Sequence, residues 1–226
     1  MTIIFLLLSL YYIDQPFLDI PDHGEFSLQL RFGPGGEILG FFNVGVLDRF
    51  GFGVSYGASN LIGVGDPDFY EIPGVQLRVV VIEQGFAAPG IIFGFDNQGY
   101  GPYTEPRYYT MSKGVYCQTG KMLLLSNIKV VPSLGCNYCF EGDNRFDMFA
   151  GLQIQFGSSS ALVFDYSPNF NDDLDQNKGN MNVALKFIFY DDLFFEFALR
   201  DLFDNGLSGE DQQFNRMIRL GYKQMF

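Results

Sequence analysis

From residue 24 onward the chain is a succession of segments about ten residues long in which apolar and polar side chains alternate, separated by clusters of Gly, Pro, Asn and Asp. Successive side chains of a strand point to opposite faces, so this period of two predicts strands with two unlike faces. In the first, Phe26, Leu28, Leu30 and Phe32 lie opposite Ser27, Gln29 and Arg31. Phe42, Val44 and Val46 then oppose Asn43 and Gly45, and Phe50, Phe52, Val54 and Tyr56 alternate with Gly51, Gly53, Ser55 and Gly57. Val75, Leu77, Val79 and Val81 face away from Gln76 and Arg78, as Ile91, Phe93 and Phe95 do from Gly94 and Asp96. A sixth strand is expected within 108–119, where Lys113 obscures the register, and 121–131 reads as an irregular stretch compatible with a short helix.

The second half continues the pattern. Leu134, Cys136, Tyr138 and Phe140 alternate with Gly135 and Asn137, and Met148, Ala150, Leu152, Ile154 and Phe156 oppose Asp147, Gly151, Gln153 and Gln155. Segment 161–167 is a strand that reads equally well with either face outward. Val183, Leu185, Phe187 and Phe189 oppose Asn182, Ala184 and Lys186, and Phe195, Phe197 and Leu199 oppose Glu196, Ala198 and Arg200. In the closing strand, Ile218, Leu220, Tyr222 and Phe226 share a face against Met217, Arg219, Gly221, Lys223 and Met225, with Gln224 the single break. The total is about twelve, an even number as a single-chain transmembrane barrel expects. A Phe at the last position after alternating apolar residues resembles the final strand of bacterial outer-membrane barrels. That resemblance implies that Phe226 is an assembly signal read by the barrel-assembly machinery.

The connections alternate in length. Those at 47–49, 84–90, 120–131, 157–160 and 190–192 are mostly short. Those at 58–74, 97–107, 169–179 and 204–215 are long and rich in Gly, Asp, Asn and Pro, while 34–36 and 141–145 on the same side are brief. Long loops on one side and tight turns on the other are the layout of an outer-membrane barrel with both termini on the turn side. The 121–131 stretch is the exception.

Composition narrows the choices. With 26 Phe, 13 Tyr, 27 Gly and no Trp, the chain favours strands and tight turns. Its net charge of −12 excludes nucleic acid as a partner, since no basic stripe is available for phosphates. Beyond the first dozen residues no apolar run approaches the ~20 residues of a membrane-crossing helix, so any span must be β. Residues 3–12 have the apolar core of a secretory signal without a basic start or a small-x-small cleavage site; a buried or interfacial first strand is the other reading. We therefore divide the chain into 1–22, a partial signal segment or N-terminal lead-in, and 23–226, the barrel.

Chemical motifs are sparse. Cys136 and Cys139 have the spacing of half a zinc site with no second half, and residues three apart in a strand cannot bridge each other. Free thiols are expected, with a cross-strand disulfide from Cys117 as the alternative. Asp173, Asp175 and Asn177 begin like a calcium loop, but Lys178 stands where Gly is required and Ala184 where Glu is. The lone histidine, His23, has no Gly-x-Ser-x-Gly serine to activate. No metal, cofactor or catalytic residue is expected, and the chain reads as non-enzymatic.

Gly53-Val54-Ser55-Tyr56-Gly57, Asn60-Leu61-Ile62-Gly63, Gly65-Asp66-Pro67-Asp68, Pro73-Gly74-Val75-Gln76-Leu77-Arg78, Gly94-Phe95-Asp96, Gly99-Tyr100-Gly101 and Ser112-Lys113-Gly114 follow one another as segments do in YjbH-type proteins. Over roughly residues 50–120 the chain is similar to that family of outer-membrane barrels associated with exopolysaccharide production or export. The resemblance implies an outer-membrane location and polysaccharide or export proteins as partners, with no catalytic residues to carry over.

The combined reading is an all-β, antiparallel up-and-down transmembrane barrel of about twelve strands in the bacterial outer membrane. Lipid offers no hydrogen bonds, so a sheet spans it only by closing on itself. Phe42, Phe52, Val54, Leu77 and Phe93 are expected to face lipid, as are Phe187, Phe197, Leu220 and Tyr222. Arg31, Arg78, Asp96, Asp147 and Lys186 are expected to face the lumen, with Glu196, Arg200, Arg219 and Lys223. Charges in so narrow a space must be paired or hydrated. They form either a selective passage or polymer-binding surface, or a self-neutralising plug. Support of surface-polymer export or envelope structure is the leading functional reading, a narrow porin-like channel for small solutes the alternative. A soluble barrel around an apolar ligand is the rival class, and it requires the Phe rows to point inward.

Overall fold

A computed structural model of the chain describes residues 9–104, 107–142, 145–172, 179–190, 192–203 and 215–226. Twelve antiparallel strands close into one barrel. In chain order they are β1 (Glu25–Phe32), β2 (Ile38–Val46), β3 (Phe50–Ser59), β4 (Gly74–Ile82), β5 (Gly90–Asp96), β6 (Gly114–Gly120), β7 (Ile128–Tyr138), β8 (Phe146–Phe156), β9 (Ser160–Ser167), β10 (Asn180–Phe189), β11 (Leu193–Arg200) and β12 (Asn215–Met225). Each pairs with its neighbour in sequence, and β12 zips onto β1 from Glu25↔Met225 to Phe32↔Ile218. No strand edge is left for lipid to meet.

The seam is reinforced at its turn-side end. The Phe226 amide donates to the Gly24 carbonyl at 2.8 Å, and its ring lies 5.2 Å from that of Phe26. Tight turns fit the right-handed twist of the strands: Leu47 and Asp48 both take positive φ, 57° and 54°, between β2 and β3.

Two expectations change and one is narrowed. The 121–131 stretch contains no helix: Leu123–Leu125 pairs with Ile128–Val130, so β7 is extended beyond β6 by a short hairpin. Pro132, which has no N–H to donate, stands opposite the break at Lys121 and Met122 that separates the two pairings. The sixth strand, expected within 108–119, occupies Gly114–Gly120. Residues 107–110 instead pair with 100–104 in a hairpin of the long loop. Phe140 lies beyond the end of β7.

All nine residues read as lipid-facing point away from the barrel axis and are 37–48% exposed. They belong to a continuous outer belt with Leu28, Leu30, Leu185 and Ile218. In β9 the ambiguity resolves to Leu162, Phe164 and Tyr166 outside and Ala161, Val163 and Asp165 inside. The aromatic rows surround the barrel and do not fill it, which excludes the soluble reading.

Candidate functional site

The interior is occupied by the chain's own residues 9–22. Leu10 to Phe17 form a tight hairpin: the Tyr12 amide donates to the Gln15 carbonyl at 2.8 Å, and that of Phe17 to Leu10 at 2.9 Å. Its tip reaches toward the long-loop side, and 18–22 lead back to β1 at the turn side. Asp14, Gln15 and Pro16 supply the turn, since an Asx side chain and a fixed proline φ both favour reversal. Tyr11, Tyr12, Ile13 and Phe17 are all 1% exposed or less.

The wall receives the hairpin on two surfaces. Ile13, Tyr12 and Phe17 pack against Val131, Val163, Ala184, Ala198 and Met217, all of which point inward. Leu10 and Tyr11 meet Leu39 and Phe41 of β2 and the loop tyrosines Tyr70, Tyr100 and Tyr108. Two glycines make the fit local. A Cβ on Gly151 would overlap the Tyr12 ring, and one on Gly45 would strike the Pro21 and Asp22 carbonyls.

Polar contacts secure the tip. Asp165 Oδ2 accepts from three consecutive amides, Ile13 at 2.9 Å, Asp14 at 2.7 Å and Gln15 at 3.0 Å. Successive N–H groups converging on one carboxylate make a small anion nest. The Asp14 carboxylate lies between Arg31 Nη1 at 2.8 Å and Arg200 Nη2 at 2.7 Å, with Arg200 Nε also at 2.7 Å. Arg219 donates to the Tyr12 carbonyl and to Glu196, both at 2.5 Å. Arg78 Nη1 donates to the Leu10 carbonyl at 2.6 Å, and Gln118 to that of Pro16 at 2.8 Å.

The nine charged residues assigned to the lumen all have inward side chains, but they form separate groups. Arg31 and Arg200 are joined through Asp14. Glu196 pairs with Lys186 at 3.1 Å as well as with Arg219. Asp96 accepts from the Tyr11 hydroxyl at 2.7 Å and from Gln76 at 3.3 Å, and Arg78 stacks over the Tyr11 ring. Asp147 stands apart, accepting from Ser167 Oγ and the Phe170 amide. Lys223 pairs with Glu25 at 3.2 Å by the turn-side mouth. Little room remains. Among the described residues the cavity beneath the long loops measures about 20 Å³, enough for roughly one water, and is lined by Asp14, Lys113, Asp147 and Asp172.

Sequence reasoning missed Asp14, Gln15 and the inward apolar bed. Their signal was present in the mixed character of 11–17, unlike a signal core, and in small or apolar residues at lumen positions 163, 184, 198 and 217. Elsewhere, the thiols of Cys117, Cys136 and Cys139 are free. His23 sits exposed at the turn side, where its Nδ1 accepts from the Leu47 amide at 3.1 Å. The calcium-like segment from Asp173 to Asn177 lies outside the described residues.

With this geometry in hand, the chain matches solved porins across nearly the whole of both partners. A structure titled KdgM porin aligns with a TM-score of 0.51 at 8% identity, covering 89% of this chain and 99% of that one. KdgM porin in complex with disordered oligogalacturonate aligns at 0.50 with 9% identity, and NanC porin in a rhombohedral crystal form at 0.51 with 10%; both cover the same shares. The fold is that of an outer-membrane porin. No family model matches the sequence, and no curated protein does. A closed barrel of this fold with an apolar exterior places the chain in the lipid bilayer of the bacterial outer membrane.

Proposed function

We propose that this protein is a non-enzymatic, porin-like channel for small solutes whose passage is held shut by its N-terminal hairpin. The observation that carries this reading is the latch itself. A segment outside the sheet fills the lumen, and it is held by side chains whose partners are mostly carbonyls, amides and the Asp14 carboxylate of that segment. A twelve-stranded wall encloses more space than its own side chains fill, so it is the hairpin and not the wall that closes the lumen. On this reading residues 9–22 are the lead-in of the mature barrel, and Phe226 presents the closing strand to the assembly machinery.

Planar-bilayer recording tests it. The full chain is expected to be silent, and a chain lacking residues 9–17 to conduct. Heat-modifiable gel migration checks that the deletion variant is folded. A folded deletion variant that stays silent overturns the channel.

Support of surface-polymer export is the second reading, favoured by the ordered segments of residues 50–120. Several of those residues, Ser55, Gln76, Arg78 and Asp96, build the wall that meets Leu10 and Tyr11. It predicts that cells lacking the protein lose surface polysaccharide and regain it on expression; unchanged polymer sinks it.

A further inference from the structure

The hairpin tip shows what its berth is built to hold. Asp14 is 3% exposed, and its carboxylate is met by Arg31 from β1, Arg200 from β11 and, at 3.2 Å, the Asn182 amide from β10. Arg200 grips one oxygen through two nitrogens while Arg31 takes the other. The ring of Tyr100 lies 3.7 Å beneath the Arg31 guanidinium and fixes its plane. Both arginines are more than nine-tenths buried. Among the described residues, Asp14 is the carboxylate that either arginine pairs with. Other wall cations are provided for differently: Lys186 and Arg219 share Glu196, a residue of the barrel itself.

When the hairpin leaves, Glu196 therefore keeps its cations, but Arg31 and Arg200 lose the carboxylate they pair with, and Asp165 stays on the neighbouring wall, held by Asn182. Two buried guanidiniums converging on an empty space form a carboxylate-binding site, with the second hydrogen of the Asn182 amide, whose first goes to Asp165, alongside. We propose that Arg31, Arg200 and Asn182 are a receptor for a small solute bearing a carboxylate, that Asp14 fills this receptor in cis, and that the solute competes with Asp14 and so favours the open barrel. The inference rests on the reading of the hairpin as displaceable. Linkage supplies the mechanism: a ligand that binds only the vacated wall shifts the population toward it. A tethered Asp14 acts at an effective concentration in the millimolar range, so the solute must reach comparable levels.

The first arm of the test uses the full chain in detergent and needs no conductance. Asp14→Ala leaves a carboxylate-sized gap and is expected to lower the melting temperature. Acetate is expected to restore that loss, whereas chloride at equal ionic strength does not. The double variant Asp14→Ala with Arg200→Gln is expected to lose the acetate response. Equal rescue by chloride, or undiminished rescue in the double variant, overturns the site.

The second arm is bilayer recording of the unaltered chain with gluconate against its uncharged counterpart sorbitol. Gluconate is expected to raise the open fraction and sorbitol to leave it unchanged; equal effects overturn the competition. A silent hairpin deletion alongside successful acetate rescue would reject the channel while leaving the carboxylate site standing.

Discussion

Asp165 shows how one side chain orders a segment that has little structure of its own. It accepts three backbone amides through one oxygen and the Asn182 amide, at 2.7 Å, through the other. Bonds to a charged acceptor are the strong ones, and each buried donor left without its acceptor costs about 1–3 kcal/mol. Asp165→Ala is thus expected to free the hairpin tip while sparing the strands. Limited proteolysis should cut within residues 10–17 far faster than in the parent, with the barrel still migrating as a folded, heat-modifiable species. Gly151→Ala tests the same docking sterically, since the new methyl occupies the space of the Tyr12 ring. It should raise hairpin cleavage in the same assay, and unchanged cleavage in both variants would remove the latch from the account.

Strands impose their own arithmetic. Leu220 looks outward between Arg219 and Gly221, both of which look in. An arginine on the lipid face near mid-strand costs about 2–4 kcal/mol, so Leu220→Arg should lower the urea midpoint in lipid, and Leu220→Phe should barely move it. Register has a direct ruler in the sulfur atoms. Cys117 and Cys136 are Cα partners across β6 and β7, and opposed side chains in an antiparallel pair sit about 4.5–5.5 Å apart at Cβ. Copper–phenanthroline oxidation of the purified barrel should link them, with the loss of two hydrogens by mass and of two alkylatable thiols. A one-residue slip puts them on opposite faces and abolishes the product.

Taken whole, the molecule is a barrel with a second, much smaller piece of chain at its centre. Closure satisfies the backbone toward lipid, and the hairpin satisfies the inward cations that closure buries. The two are separable in principle because β12 pairs with β1 independently of the lumen contents. The hairpin deletion should accordingly keep heat-modifiable migration but unfold at a lower temperature than the parent, as scanned by circular dichroism in detergent.

Alternation along the strands was enough to read strand number, the closing partner and the side on which Phe42, Phe187 or Arg219 lies, because a period of two needs no long-range information. It failed where the local pattern is weak: at Lys121 and Met122, where a break between two pairings passes for irregularity, and at Lys113, where a loop hairpin runs into β6. The sequence by itself determined a closed sheet with unlike faces, since lipid outside and charge inside demand that pattern residue by residue. Only the tertiary structure decided what fills the centre. Asp14 meets Arg31 and Arg200 across 17 and 186 residues of chain, and no local spacing records a contact made by folding a segment back into its own barrel.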